Sequence, residues 1–183
     1  ETFRIVDPSG GSERPGRVFI QHVASGRYVT VDGDGHLRAS ATDPSAATVF
    51  NVEIVASGTA AAAAMARDAD VAIVVVGNHP LVNGRETEDR VDLSLPPAQD
   101  ALIRAVYAAN PRTVLVVTSS YPFAIDWADE HLPAVLWFAH AGQECGHALA
   151  DVLFGDAEPS GRLTQTWYRS TADLPDLLDY DIV

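Results

Sequence analysis

The sequence predicts an α/β fold, a mostly parallel sheet flanked by helices in an α/β sandwich, preceded by a small all-β module. Three observations predict it. Residues 71–76 are an unbroken apolar run of mostly β-branched side chains, the pattern of strands covered on both faces in a parallel sheet, and residues 113–117 and 134–138 read as further buried strands. Stretches with helical spacing of apolar residues separate them. Before residue 57, short alternating runs are punctuated by Gly, Pro, Ser and Asp, which suits small antiparallel strands.

In the first module, Val18 and Ile20 mark one strand and Tyr28-Val29-Thr30-Val31 another. Asp32-Gly33-Asp34-Gly35 is a hairpin turn signal, because Gly tolerates positive φ and Asp bonds its own backbone. Residues 48–55 alternate Val49, Asn51, Glu53 and Val55 against Phe50, Val52 and Ile54, which predicts a further strand. Residues 8–16 read as a loop. In the second module an Ala-rich helix spans 60–67. Ser94-Leu95-Pro96-Pro97 opens the next helix, with Ser94 as its expected cap and Pro in the first turn. Leu102, Ile103, Val106 and Ala109 form its apolar face, and Asn110-Pro111 ends it. A helix is expected over 143–154, closed by Gly155, and a last strand over 163–167. The expected organisation is 1–57, 58–168 and a tail over 169–183.

The chain has 183 residues, with 12 Lys+Arg against 25 Asp+Glu and a formal net charge of -13. So acidic a surface repels phosphate backbones and anionic headgroups, which argues against nucleic acid and membrane surfaces as partners. Neutral sugars are compatible with it. A single cysteine, Cys145, allows no internal disulfide. No apolar run reaches the roughly 18 residues of a membrane span. The first residue is not Met, and the chain is expected to be part of something longer.

Ligands of open parallel sheets gather at the carboxyl ends of the strands. The segment from Gly77 to Leu95 leaves such an end and is long for a connection that usually takes about 2–6 residues. It contains Gly84-Arg85-Glu86-Thr87-Glu88-Asp89-Arg90. One reading is a solvated charge cluster with weak ion pairs. The other is proton-transfer chemistry. Glycoside cleavage uses one carboxyl group to protonate the leaving oxygen and a second to attack or to activate water. A carboxyl group that donates near neutral pH must be shifted upward, by desolvation or by neighbouring negative charge. Glu88 and Asp89 would push Glu86 that way, while Arg85 and Arg90 oppose it.

Two signatures make the resemblance specific. The first runs from Ala69-Asp70-Val71-Ala72-Ile73-Val74-Val75-Val76-Gly77 through Glu86-Thr87-Glu88-Asp89-Arg90 to Leu95-Pro96 and Gln99. The second is Ala141-Gly142-Gln143-Glu144, then Asp151-Val152-Leu153-Phe154-Gly155, then Pro159-Ser160-Gly161-Arg162-Leu163. Together they resemble the second domain of family 3 β-glucosidases and β-xylosidases. That resemblance implies a retaining exo-β-glycosidase acting on an oligosaccharide or glycoside, with no cofactor. It implies that the acid/base is the Glu three residues before Asp89-Arg90, which is Glu86, with Glu88 the second choice. His79 and Arg85 are candidate sugar contacts. The nucleophile of that family is an Asp on a (β/α)8 barrel, for whose roughly 250 residues nothing here provides.

Residues 23–31, 37–40 and 47–50 resemble one repeat of a fascin-like β-trefoil, which implies a partial trefoil-like insert. Two further readings remain: a non-catalytic carbohydrate-binding protein, and a nucleotide-binding domain, for which the Gly-rich fingerprint is lacking. His79, His140 and His147 fit no standard metal spacing, and no metal site is expected. Asp32-Gly33-Asp34-Gly35 lacks the remaining ligands of a calcium loop. Ser119-Ser120 lacks the frame of a serine hydrolase, and Gln143 and Glu144 are expected to cap a helix. Cys145 is expected to be a small buried residue, and Trp137 and Trp167 core residues. With one of its two carboxylates missing, the isolated chain is expected to hydrolyse no glycoside. Release of nitrophenol from an aryl glucoside by the pure chain, above the uncatalysed rate, would contradict this.

Overall fold

The computed structural model describes residues 2–7, 16–79, 90–176 and 178–179. The chain divides into two compact units, Glu1–Ala56 and Ser57–Val183. The first is antiparallel. Strands β1 (Phe3–Val6), β2 (Arg17–His22), β3 (Tyr28–Val31) and β4 (Leu37–Ala41) pair in that order, and β5 (Phe50–Asn51) pairs with β2. Val18, Val29 and Ala41 are its buried apolar residues. The turn between β3 and β4 follows the Asp-Gly chemistry of its sequence. Gly35 takes φ +83°, and Asp32 Oδ1 accepts from the backbone N–H of Asp34 at 3.0 Å and of His36 at 2.9 Å. The bond from the His36 backbone and that from Arg38 hold the Asp32 carboxyl below its ordinary value.

The strand expected over 48–55 is reduced to Phe50–Asn51. Val52 N still donates to Gly16 O at 3.1 Å, but Val52, Ile54 and Val55 are exposed and belong to no strand among the described residues. Alternation supplied the pattern, but a strand needs a partner ladder to persist.

The second unit holds a three-stranded parallel sheet in the order β6 (Ala72–Gly77), β7 (Thr113–Thr118), β8 (Ala134–Phe138). Helices α1 (Gly58–Arg67), α2 (Pro97–Ala109), α3 (Asp126–His131) and α4 (Cys145–Phe154) accompany it. One face of the sheet presents Ala72, Val74, Val76, Leu115 and Val117 to Ala66 of α1, Ile103 and Val106 of α2 and Ala128 of α3. Ile103 and Val106 are almost wholly buried, and each contributes about 1.5–3 kcal/mol. Val135, Trp137 and Trp167 pack against the same core, with the two indoles edge to face at 6.2 Å. On the opposite face Val116 is buried, but Ile73 and Val75 at the β6 edge are exposed. The expected cover on both faces is thus present for β7 and absent from β6 among the described residues.

Helix ends depart from expectation where the backbone found other uses. Ser57 caps α1, accepting from Ala60 N at 3.3 Å. Ser94 does not cap α2. Pro96 occupies that position without a side-chain bond, and Ser94 lies in a parallel bridge with Ala124. Helix α4 starts at Cys145 rather than residue 143, and Gly155 ends it at φ +85°. Glu144 is its N-cap residue, but its carboxylate bonds His147 Nδ1 at 2.7 Å instead of a backbone N–H. Cys145 is a free, partly buried thiol. No strand forms over 163–167. Helix α3, missed by sequence reasoning, is one short charged turn held by buried Ala128.

Asn110 links α1, α2 and β7. Its Nδ2 donates to the carbonyls of Ala66 at 3.0 Å and Ala69 at 2.8 Å, and its Oδ1 accepts from Arg112 N at 2.9 Å. Removing a buried donor that serves two carbonyls takes one partner from Ala66 O, which keeps the Ala69 N–H at 3.2 Å, and the side-chain partner from Ala69 O. Asn110→Ala is expected to destabilise the chain by about 2–3 kcal/mol. Urea denaturation should show a lower midpoint at unchanged slope.

Candidate active site

The carboxyl edge of the sheet is built around the last two residues of the first parallel strand and its continuation. Gly77 sits at φ +146°, and a Cβ there would overlap the Thr118 carbonyl. Only glycine lets β6 and β7 approach this closely at their ends. The Gly77 peptide is clamped by the amide of Gln99 at the start of α2: Gly77 N donates to Gln99 Oε1 at 3.1 Å, and Gln99 Nε2 donates to Gly77 O at 2.9 Å.

Asn78 is held as firmly. Its N–H donates to Thr118 O at 3.2 Å. Its Oδ1 accepts from Ser120 N at 3.2 Å. Its carbonyl lies 3.1 Å from His140 Nε2, and His140 Nδ1 lies 2.7 Å from Ser120 Oγ. A carbonyl only accepts, so Nε2 donates to it, and in the tautomer protonated there alone Nδ1 accepts from the Ser120 hydroxyl. Asn78 itself is buried, and its Nδ2 has no hydrogen-bond partner among the described residues.

A serine facing a histidine invites a nucleophilic reading. In such dyads the far ring nitrogen is oriented by a third group, usually a carboxylate that stabilises the imidazolium. Here the far nitrogen meets a backbone carbonyl, which orients the ring, in the place a carboxylate would take. Ser119 is wholly buried and structural. Its Oγ donates to Tyr121 O at 2.6 Å, and Trp137 Nε1 donates to its carbonyl at 3.1 Å.

Twelve residues after Asn78 the chain is again at this edge. Arg90 Nη1 donates to Pro122 O at 2.9 Å, and its guanidinium lies 4.7 Å from the Tyr121 ring centroid and 5.0 Å from that of Phe123. Burial pushes this guanidinium below its ordinary value, against the opposing pull of Tyr121 and Asp92; arginine stays charged nonetheless. Leu93 O accepts from Ala124 N at 2.8 Å, and Leu93 N donates to Thr171 Oγ1 at 3.0 Å. A cleft of about 300 Å³ opens here, lined by Arg90, Asp92, Tyr121, Thr171 and Leu174 among others.

Glu86, Glu88 and Arg85 lie outside the described residues. His79 is exposed at the rim, directly after Asn78. Sequence reasoning singled out Gln99 and Arg90 as parts of a signature but not what they hold. It set His140 and Ser120 aside and missed Asn78. A polar Asn directly after the glycine that ends a buried strand was the available signal. Elsewhere, Asp32, Asp34 and His36 offer ligand atoms within 4.8 Å of one another, but the Asp32 carboxylate is already occupied by the turn and by Arg38 at 3.1 Å. The Trp127 ring is engaged by Arg104 at 4.2 Å and by stacking on His131 at 4.5 Å.

The family described as "Glycosyl hydrolase family 3 C-terminal domain" matches residues 12–182. Among curated proteins, a β-glucosidase of Rhizobium radiobacter is 41% identical over 119 residues, 64% of this chain and 14% of its own length. A probable β-glucosidase I of Aspergillus terreus is 36% identical over 157 residues, 84% of this chain and 17% of its own. Beta-D-xylosidase 3 of Arabidopsis thaliana is 40% identical over 121 residues, 64% of this chain and 16% of its own. This chain thus spans about a sixth of the length of these relatives. Among solved structures, a β-glucosidase from Kluyveromyces marxianus in complex with glucose superposes with a TM-score of 0.61 at 34% identity, over 68% of this chain and 15% of that one. A family 3 β-glucosidase from Bifidobacterium adolescentis gives 0.62 at 30% identity, over 72% and 20%. With a family match over nearly its whole length and a parallel sheet that superposes on solved members, this chain belongs to the glycosyl hydrolase family 3 C-terminal domain family.

Proposed function

We propose that this chain is the acid/base part of a retaining exo-β-glycosidase, a β-glucosidase or β-xylosidase, and that Glu86 is the proton donor. The observation that carries the reading is the family match over residues 12–182, combined with a sheet whose carboxyl edge leads directly into the segment holding Glu86. The named relatives are β-glucosidases and a β-xylosidase, which supports the substrate class.

The nucleophile is an Asp on a (β/α)8 barrel elsewhere in the intact enzyme. It attacks the anomeric carbon while Glu86 protonates the departing glycosidic oxygen. Glu86, now a carboxylate, then takes a proton from water as that water releases the sugar. Retention requires the two carboxyl groups about 5 Å apart in the intact enzyme. His79 and Arg85 contact sugar hydroxyls. Residues 1–57 form a partial trefoil-like insert, a small β module placed inside the family domain.

In the intact enzyme, Glu86→Ala is expected to lower kcat/KM for an alkyl glycoside by about 100-fold or more, within the range for loss of a general acid. A dinitrophenyl glycoside, whose leaving group needs no proton, should suffer far less in kcat/KM. Added azide should speed release of the sugar and yield the β-glycosyl azide. If Glu88→Ala shows this behaviour and Glu86→Ala does not, the proton donor is Glu88.

A further inference from the structure

We propose that His140, Ser120 and Asn78 at one end, and Arg90 at the other, are positioning residues that set where the proton-donating segment starts and stops. The inference rests on the acid/base reading above and names what holds that group in place. Residues 80–89, which include Glu86 and Glu88, lie outside the described residues, between His79 and Arg90 in the sequence. Both flanks are tied to one short stretch, residues 118–124. On the leaving side Asn78 bonds Thr118 and Ser120, and His140 braces the Asn78 carbonyl from the connection after β8. On the returning side Arg90 bonds Pro122 and packs on the rings of Tyr121 and Phe123, and Leu93 bonds Ala124.

That stretch is itself held by two buried side chains and by hydrogen bonds. Phe123 and Ser119 are buried almost completely. Ser119 N donates to Phe138 O at 3.0 Å, and Trp137 donates to the Ser119 carbonyl. Two flanks tied to one stretch fix the separation between the points where the intervening segment begins and ends. A proton donor displaced by about 1 Å loses on the order of 100-fold, so the anchor matters to rate although none of its side chains needs to touch the sugar. His140 is the informative member. It is exposed, its removal opens no core cavity, and both of its ring nitrogens are committed to the anchor.

The test uses the intact enzyme and kcat/KM, which reports glycosylation, for an alkyl glycoside and for a dinitrophenyl glycoside. His140→Ala is expected to lower the first about 10-fold or more and the second by less than about 3-fold. Loss of folded enzyme would lower both equally. His140→Gln, which offers an N–H to the Asn78 carbonyl, should recover most of the alkyl-glycoside rate. Arg90→Lys, which keeps the charge but not the planar stack on two rings, should repeat the selective loss. Equal losses on both substrates, or no loss, in His140→Ala overturn the inference. Glu86→Ala and Glu88→Ala measured alongside separate the two levels. Selective loss in either carboxylate variant without it in His140→Ala removes only the positioning role. Absence of selective loss in both carboxylate variants removes the acid/base reading, and the positioning role with it.

Discussion

At the end of the first parallel strand, two consecutive peptide units have every polar backbone atom committed. Gly77 gives its N–H and carbonyl to one side-chain amide, that of Gln99, and Asn78 gives its own to Thr118 and His140. Such commitments matter because buried backbone groups left unpaired cost as much as a lost hydrogen bond. Here they also remove the freedom of the chain just where it leaves the sheet. The absence of a side chain at Gly77 makes this arrangement possible, since any Cβ would strike the Thr118 carbonyl. A backbone position that only glycine can fill therefore precedes the most charged segment of the domain.

From this constraint the rest of the site follows in order. The core beneath it, from Val76 to Leu115, Val117 and Phe123, fixes the height of the strand ends. The connection after β7 is pinned by Ser119 and Trp137. Arg90 then returns the chain to that same connection through a hydrogen bond and two aromatic faces, a combination that lysine cannot reproduce. Dispersed contacts of this kind contribute little individually to stability. Their effect is geometric, in that both flanks of one segment are referred to a single fixed object.

Some of this was legible in the sequence. The three parallel strands were readable because their β-branched runs have no polar interruption, and turn chemistry at Asp32-Gly33-Asp34-Gly35 specified a hairpin. Gly155 marked a helix end correctly. Other features failed for physical reasons. Alternation over 48–55 promised a strand, but the pairing ends with the bond from Val52 N to Gly16 O, and Ile54 and Val55 are exposed outside any strand among the described residues. Ser94 is a good cap by composition, yet Pro96 takes the position and Ser94 serves the sheet edge instead. The Asn78–His140 contact joins residues 62 apart, and no local pattern encodes a pairing of that range. The carboxylates remain assigned by resemblance, since their positions in the motif are what identifies them.

Native-state amide exchange by NMR addresses the clamp at the sheet edge most directly. The expected result is that the N–H groups of Asn78 and Ser120 exchange as slowly as those of Val116 and Val117 in the central strand. Fast exchange at Asn78 and Ser120, at the rate of exposed Asp92, would contradict the claim that this edge is a fixed anchor.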